Sequence, residues 1–348
     1  MKLGIIGAGR LGSFHADKAA QHPAVELTAV YDASETAAQK LAQKHNVRQC
    51  ATLDEVFPLA DAVVIAVPTV LHYELGWPCL RQGKHVLMEK PMCASTADAQ
   101  KLVEAAKRAN AVLQIGHVEA FNPAWVAAQP LLQEATDGFP VQIDAVRTSG
   151  YTFRSTDIGT VFDMMIHDID LVLSLVPSRV DAVDAVGFNV IGGAFEDKAN
   201  VRIRFENGTV ANLTSSRTEP KAVREMRITQ PSSAVHIDFG ARTTSLFRPD
   251  DTVRRGMFAP ENVSPQEVQR IAPDFMQKHF IGETKQYDAV DALAAEMDDF
   301  VNAVETGYPP VVSGLRGLAA VALAEKIVES LNERTMLQFG LHRQRRAA

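Results

Sequence analysis

The chain has 348 residues, 46% of them hydrophobic, and a formal net charge of −7 at pH 7. A single hydrophobic core stops growing at roughly 250–300 residues, so this length predicts two domains. The acidic balance argues against nucleic acid as the main partner, because nucleic-acid-binding domains are basic, but it allows an anionic substrate in a local basic pocket.

The first ~120 residues alternate short apolar runs with helical patterns. Strands are predicted at 3–6, 27–31, 62–67, 85–88 and 112–115, and helices at 11–21, 34–45, 69–82 and 95–110. Continuous apolar strands between helices are typical of a parallel sheet that is buried on both faces. We therefore expect an α/β, doubly wound Rossmann domain over residues 1–120.

From about residue 141 the apolar runs lengthen and alternate with polar residues. Strands are predicted at 141–148, 180–190, 199–206, 209–216 and 224–228, with a hairpin at Glu206-Asn207-Gly208. Helices are predicted at 160–175, 287–306 and 314–332, and irregular loops at 241–283. This pattern predicts an α+β domain over residues 121–348 with an open, mostly antiparallel sheet, whose final helices can pack back on the first domain.

The three cysteines, Cys50, Cys79 and Cys93, form no Cys-x-x-Cys pair. The sequence therefore predicts no disulfide framework, which fits a protein from a reducing compartment. No stretch approaches the ~20 apolar residues that span a bilayer. The N-terminal apolar run is too short and glycine-rich for a signal peptide. We expect a soluble, cytoplasmic protein with no membrane partner.

A glycine-rich loop follows the first predicted strand, and it reads Gly7-Ala8-Gly9-Arg10-Leu11-Gly12. The first glycine permits a tight turn, the second lets the backbone approach a pyrophosphate, and the third lets the helix pack on the strand. The helix that begins at Arg10 and Leu11 points its N–H groups at the phosphates. The loop predicts a dinucleotide site; a structural turn without nucleotide is the alternative.

Asp32 follows Gly12 by 20 residues, at the end of the second predicted strand. A carboxylate there accepts hydrogen bonds from the adenosine ribose hydroxyls and repels a 2′-phosphate. The next residue is Ala33, so no arginine stands ready for that phosphate. The sequence therefore favours NAD over NADP.

Pro68 and Thr69 follow the third of these predicted strands, at the edge where doubly wound sheets bind ligands. We expect both beside the nicotinamide half of the cofactor. His72 follows one helical turn later, and it either contacts the cofactor or is a surface helix residue.

Glu89-Lys90-Pro91 follows the strand at 85–88, so the Lys90 ammonium can project into the same cleft. There it can hydrogen-bond a reacting oxygen and favour a developing alkoxide, with Glu89 tuning it. The alternative is a lysine exposed at a strand end.

Asp163 and His167 are spaced i, i+4 in an otherwise apolar helix, and therefore share a face. Buried groups of this kind need partners or cost several kcal/mol, and a ligand cleft supplies partners. Histidine titrates near neutral pH and suits a proton acceptor. A metal site and a structural pair are alternatives; no further His or Cys cluster is apparent in the sequence, and no metal is predicted.

The glycine loop, Glu89-Lys90-Pro91 and Asp163-x-x-x-His167 occur in an order that resembles the glucose–fructose oxidoreductase / inositol dehydrogenase (Gfo/Idh/MocA) family. The resemblance implies an NAD-dependent enzyme that oxidises a sugar hydroxyl. It implies that His167 is the base, that Lys90 stabilises or relays the proton beside the cofactor, and that Asp163 orients substrate or imidazole. It also implies a homodimer or homotetramer built on the second sheet.

Two stretches, GHVEAFNP at 116–123 and FRSTDIG at 153–159, are similar to the branch that includes UDP-N-acetylglucosamine 3-dehydrogenases. This implies a nucleotide-sugar substrate, oxidised to a ketone at C3. An arginine usually follows Glu119 in that branch, whereas Ala120 stands here. Glu119, Asn122 and Arg154 are the remaining substrate candidates. Arg154 can instead pair with Asp157, and Glu119 and Asn122 can instead shape the domain junction.

Three other functions remain open. The chain could be an inositol or free-sugar dehydrogenase, or a dinucleotide-binding regulator without turnover. It could also be a lyase or hydrolase that uses NAD transiently. Lys90, Asp163 and His167 together argue against the regulator.

Overall fold

Two β-sheets form the framework of the chain. The structure is a computed structural model, and it describes residues 1–134, 139–153, 156–191 and 193–346. The first sheet has six strands in the order β3-β2-β1-β4-β5-β6, all parallel. Its strands are β1 (Lys2–Ile6), β2 (Glu26–Tyr31), β3 (Arg48–Cys50), β4 (Ala62–Ile65), β5 (His85–Glu89) and β6 (Leu113–Gly116). This order is that of a dinucleotide-binding doubly wound sheet, which confirms the predicted Rossmann fold.

Four helices connect these strands as predicted: α1 (Arg10–Gln21), α2 (Glu35–His45), α3 (His72–Arg81) and α4 (Thr96–Ala109). Ser34 and Ser95 cap α2 and α4 by accepting hydrogen bonds from backbone N–H groups three residues later. The helix predicted from residue 69 begins as a 3₁₀ turn, Thr69–Leu71. Strand β3 was not predicted because three residues carry no periodicity.

The second sheet has eight strands in the order β14-β13-β12-β11-β7-β10-β9-β8. They are β7 (Gln142–Thr148), β8 (Val180–Phe188), β9 (Lys198–Phe205), β10 (Val210–Ser216), β11 (Val223–Gln230), β12 (Ser233–Asp238), β13 (Thr243–Pro249) and β14 (Phe280–Gln286). Only β7 and β10 pair parallel. The predicted open, mostly antiparallel sheet is confirmed, and the hairpin at Asn207-Gly208 joins β9 to β10.

The prediction of irregular loops at 241–283 was wrong. This segment contains β13, most of β14 and the short helices α7 (Asp251–Arg254), α8 (Pro265–Ile271) and α9 (Phe275–His279). Every residue from 250 to 290 is at least partly exposed in the single chain. Strands and helices are predicted from the periodicity of their apolar residues, and elements without a buried face lack that periodicity.

Four more helices complete the chain: α5 (Pro123–Glu134), α6 (Ile166–Leu175), α10 (Ala292–Thr306) and α11 (Gly314–Arg346). Helix α5 was not predicted. The α10 residues Met297 and Phe300 pack with Leu3 and Ile5 on one face of the Rossmann sheet. Helix α11 contacts α4 and β6 on one side and α6 and β8 on the other, so it joins both sheets. Within the described residues, no helix is long and apolar enough to cross a membrane.

Helix α10, which packs on the Rossmann sheet, carries a buried carboxyl group. Glu296 of α10 is fully buried, and neither of its carboxyl oxygens has a hydrogen-bond partner in the protein. Burial and the charge of Glu89 raise the pKa of this carboxyl well above its ordinary value. Burial without a hydrogen-bond partner therefore favours the neutral, protonated form of Glu296.

Replacing Glu296 with glutamine is expected to stabilise the fold, and more so as pH rises. An acid whose pKa is raised on folding loses stability as the pH climbs above its unfolded value, near 4.5, toward the folded one. Glutamine mimics the neutral acid and escapes that loss, which is about 1.4 kcal/mol for every pH unit between the unfolded and folded pKa values. Urea unfolding of both proteins at pH 4.5 and pH 8 measures it. A difference in the free energy of unfolding between the two proteins that is absent at pH 8, or larger at pH 4.5 than at pH 8, would contradict the raised pKa of Glu296.

Candidate active site

Two adjoining cavities open at the carboxyl ends of β1, β4 and β5. The first, which we call the glycine-loop cavity, has about 340 Å³ and is lined by Ile6, Gly7, Gly9, Tyr31, Asp32, Ala33, Ala66, Val67, Pro68, Leu71, Glu74 and Leu75. The second, the Lys90 cavity, has about 500 Å³ and is lined by Arg10, Leu11, Phe14, Ala66, Val67, Pro68, Lys90, Thr152 and Asp163. The two share three residues of the loop after β4, so they adjoin along that loop.

The glycine loop has the shape that a dinucleotide requires. Gly7 has a φ of +100°, and a Cβ there would lie 2.3 Å from the Ala66 carbonyl oxygen. A Cβ on Gly12 would lie 1.8 Å from the Gly7 carbonyl oxygen, so the helix could not pack. A Cβ on Gly9 would meet nothing within 4 Å. The backbone at Gly9 is therefore open to the cleft, where a pyrophosphate can approach it.

Asp32 is fixed beside this loop. One carboxylate oxygen accepts a hydrogen bond from Ala8 N at 2.6 Å, and the other accepts one from Ser34 N at 2.7 Å. Each oxygen retains a further lone pair for a ribose hydroxyl. The residues present therefore fit an NAD molecule, with Glu74 as a wall residue that the sequence reasoning did not single out.

The loop after β4 is held by His72. Its Nδ1 lies 2.8 Å from the Pro91 carbonyl oxygen and its Nε2 lies 3.0 Å from that of Val67. His72 is buried, so it is not a surface helix residue; it joins the loops that follow β4 and β5. Pro68 lines both cavities, while Thr69 is buried beside it.

Glu89 connects the glycine-loop helix to strand β5. Its carboxylate lies 2.8 Å from His15 Nε2 of α1 and accepts a hydrogen bond from the Lys90 backbone N–H. Burial acts to raise the pKa of Glu89, but the hydrogen bond and charge of His15, with the charge of Lys90, hold it below its ordinary value. Glu89 is therefore an anion that fixes the backbone from which the Lys90 side chain extends.

The Lys90 side chain extends from the end of β5 to the segment that precedes α6. Nζ donates to the Asp163 carbonyl oxygen at 2.6 Å and lies 3.1 Å from the Asp163 carboxylate. Both side chains remain partly exposed to the cavity. The carbonyl and carboxylate oxygens of Asp163 therefore hold the Lys90 ammonium at the cavity. Lys90 is not a lysine exposed at a strand end.

Asp163 lies on a turn of π-helix, Val161–Met165, which precedes α6. Glu196 fixes the start of this turn by accepting a hydrogen bond from Val161 N at 3.0 Å. The i, i+4 spacing predicted one helical face for Asp163 and His167, and in the structure the two side chains contact different groups. Asp163 contacts Lys90, and His167 lies beside His117 with ring centroids 5.9 Å apart. Single π-helical turns are common at functional sites.

His167 is a neutral imidazole. Burial, followed by the charges of Lys90 and Arg147, holds its pKa well below the ordinary histidine value. Its Nδ1 is buried without a partner in the protein. A neutral ring near the Lys90 cation can accept a proton.

A buried ion cluster supports this segment. Arg147 of β7 donates to Asp168 at 2.8–3.2 Å and to Glu119 at 2.7 Å. Burial opposes the cation, but the two carboxylates raise the pKa of Arg147 above its ordinary value. This cluster was not predicted from the sequence. Its signal was the alternation in β7, which places Arg147 on the same inward face as Ile143 and Ala145.

The other substrate candidates divide into two groups. Glu119 bonds Arg147, and Asn122 donates to Glu119 and to the Phe239 carbonyl oxygen. Neither lines the two cavities. Arg154 lies outside the described residues, whereas Thr152, which was not predicted, lines the Lys90 cavity. In the described part of the chain, no three His, Cys, Asp or Glu side chains are grouped to hold a metal ion.

Comparison with known proteins agrees with this geometry. Residues 1–117 match the model of the Gfo/Idh/MocA oxidoreductase family with an NAD-binding Rossmann fold, and residues 133–230 match its C-terminal domain. The chain belongs to the Gfo/Idh/MocA family. The predicted family, the oxidoreductase class and the cofactor NAD are confirmed.

Two relatives of this Gfo/Idh/MocA protein match along nearly its whole length. UDP-N-acetylglucosamine 3-dehydrogenase of Acidithiobacillus ferrooxidans is 32% identical over 327 residues, which cover 94% of this chain and 96% of the relative. Myo-inositol 2-dehydrogenase of Thermotoga maritima is 26% identical over 360 residues, with 97% and 98% covered.

Solved structures give the same result. A crystal form of the A. ferrooxidans enzyme superposes with a TM-score of 0.81 at 31% identity, covering 95% of this chain and 97% of that one. Levoglucosan dehydrogenase in complex with NADH and L-sorbose has a TM-score of 0.82 at 18% identity, covering 96% and 97%, which shows the shared fold alone.

Proposed function

We propose that this enzyme oxidises the C3 hydroxyl of a UDP-N-acetylglucosamine-like nucleotide sugar to a ketone, with NAD as the hydride acceptor. The observation that carries the proposal is the position of Lys90. Its ammonium, fixed by Asp163, lines the cavity that adjoins the glycine-loop cavity, and its charge acts on the neutral His167. The similarity to the A. ferrooxidans 3-dehydrogenase supports the substrate class.

Each group has a separate role in the proposed reaction. Bound NAD supplies the hydride acceptor. The Lys90 ammonium donates a hydrogen bond to the reacting oxygen and stabilises negative charge as it develops. His167 accepts the hydroxyl proton, and Asp163 keeps the Lys90 ammonium at its place. Glu89 fixes the Lys90 backbone by accepting a hydrogen bond from its N–H group.

The substrate's phosphates need cations, and the Lys90 cavity has a second one. Arg10 lines its wall, with its guanidinium 5.5 Å from the Phe14 ring centre. We propose that Arg154 also binds phosphate oxygens, for which a planar guanidinium is suited. Glu119 and Asn122, which have partners in the protein, are proposed to shape the domain junction near residue 120.

A panel of substrates tests this function. Purified protein with NAD is expected to form NADH with UDP-N-acetylglucosamine, at a kcat/KM well above that for myo-inositol or free N-acetylglucosamine. NADP is expected to be a poor substitute, because Asp32 repels its 2′-phosphate.

The same panel separates the alternatives. NADH from myo-inositol alone would identify an inositol dehydrogenase, to which the T. maritima relative is the analogue. Stabilisation by NAD without turnover of any alcohol would identify a regulator. Product without net NADH would identify lyase or hydrolase chemistry.

We also propose a homodimer or homotetramer in the cytoplasm. Among the described residues, one face of the eight-stranded sheet leaves the apolar side chains of Val146, Val186 and Phe247 exposed. Exposed apolar side chains on one sheet face are typical of an interface. The three cysteines are buried and unpaired, which suits a reducing compartment. Light scattering of the purified protein measures the number of subunits.

A further inference from the structure

His117 has no assigned task, yet it lies at the active-site edge of the Rossmann sheet. It follows β6 directly, beside the strand that carries Lys90. The side chain is 1% exposed, and neither ring nitrogen has a hydrogen-bond partner in the protein. An unpaired buried polar group destabilises the folded state, so two on one ring require an explanation.

The ring of His117 meets the ring of His167 edge-on. Their centroids are 5.9 Å apart and their planes are at 90°. His167 Nδ1 is also buried without a partner, so three unpaired ring nitrogens belong to two neighbouring rings. No direct hydrogen bond joins the two rings. Buried polar groups that the protein leaves unpaired are commonly bridged by an ordered water that makes two or more hydrogen bonds.

We propose that His117 is a positioning residue for His167, acting through one bridging water. His167 Nδ1–H donates to the water, and the water donates to a bare nitrogen of His117. This hydrogen bond selects the His167 tautomer whose Nε2 lone pair is free to accept a proton in the cleft. The inference rests on the proposed function, in which His167 is the proton acceptor.

The charged groups around His117 are consistent with this arrangement. They are Glu89 at the end of β5, Lys90 directly after it, Asp170 of α6 and Arg316 of α11. Asp170 and Arg316 form a two-bond ion pair at 2.6 Å, so neither competes for the His117 ring. Burial lowers the pKa of both histidines, so each ring keeps one bare nitrogen at neutral pH.

Histidine NMR tests the tautomer without any substrate. In full-length protein labelled with ¹⁵N-histidine, at pH 7.5, His167 is expected to show a protonated Nδ1 and a bare Nε2. His117→Phe is expected to give a mixture of tautomers at His167, whereas His117→Gln, which can still bond a water, is expected to keep the wild-type signals. His85→Gln is the matched control, since His85 starts β5 at the opposite edge of the sheet.

Kinetics give a second readout. With the nucleotide sugar, His117→Phe is expected to lower kcat by about tenfold to a hundredfold at an unchanged KM, and His117→Gln to recover most of it. A wild-type His167 protonated on Nε2, or a tautomer unaffected by His117→Phe, would overturn the proposal. The expected tautomer in a protein that oxidises no sugar would support the His117 role and count against the proposed function alone.

Discussion

Replacing Lys90 with methionine is expected to lower kcat/KM by about a thousandfold, because the variant loses the hydrogen bond to the developing alkoxide. Methionine keeps most of the side-chain volume, so the cavity wall is retained. The glycine loop and Asp32 are untouched, and NAD is expected to bind with nearly the wild-type affinity.

Steady-state kinetics and NAD titration of the same protein samples measure these two effects. Lys107→Met is the matched control, because Lys107 is exposed in the last turn of α4. A Lys90→Met enzyme within tenfold of wild type would show that the reacting oxygen is stabilised elsewhere. A loss of NAD binding in parallel with activity would mean that Lys90 supports the cofactor rather than the reaction.

Arg147→Met is expected to destabilise the protein by about 3–5 kcal/mol, since it leaves buried carboxylates without their cation. Asp168 and Glu119 both depend on Arg147, and they belong to α6 and to the turn after β6. His167 precedes Asp168, so activity is expected to fall as well, even in the folded fraction.

Urea unfolding of wild type and variant measures the loss. Arg202→Met is the matched control, because Arg202 is exposed in the middle of β9. The double variant Arg147→Met/Asp168→Asn is expected to regain part of the stability, because it removes one of the stranded charges. An Arg147→Met protein within 1 kcal/mol of wild type would contradict the buried cluster.

The sequence was sufficient to predict the features that depend on local pattern. Continuous apolar strands between helices predict a parallel sheet, and Asp32 at the end of β2 predicts the choice of NAD. Lys90 follows a buried strand, so its place at the cleft is fixed by sheet topology alone. Each of these conclusions needs only residues that are close together in the chain.

Contacts between distant residues could not be predicted in this way. Lys90 and Asp163 are 73 positions apart, and their pairing depends on how the second domain is placed on the first. The π-turn under Asp163 has no periodicity that distinguishes it from an α-helix. The edge strand β14 has no buried face in the single chain, so its apolar residues show no alternation.

In the proposed mechanism, hydride moves from a sugar carbon to NAD in the cleft that contains Lys90. UDP-N-acetylglucosamine carrying deuterium at C3 tests it most directly, with NAD, wild-type protein and mass spectrometry of the nicotinamide product. The proposed mechanism predicts deuterium in the reduced cofactor and a slower reaction than with the protium substrate. Reduced cofactor without deuterium, or no reduction by protein that has bound NAD, would contradict it.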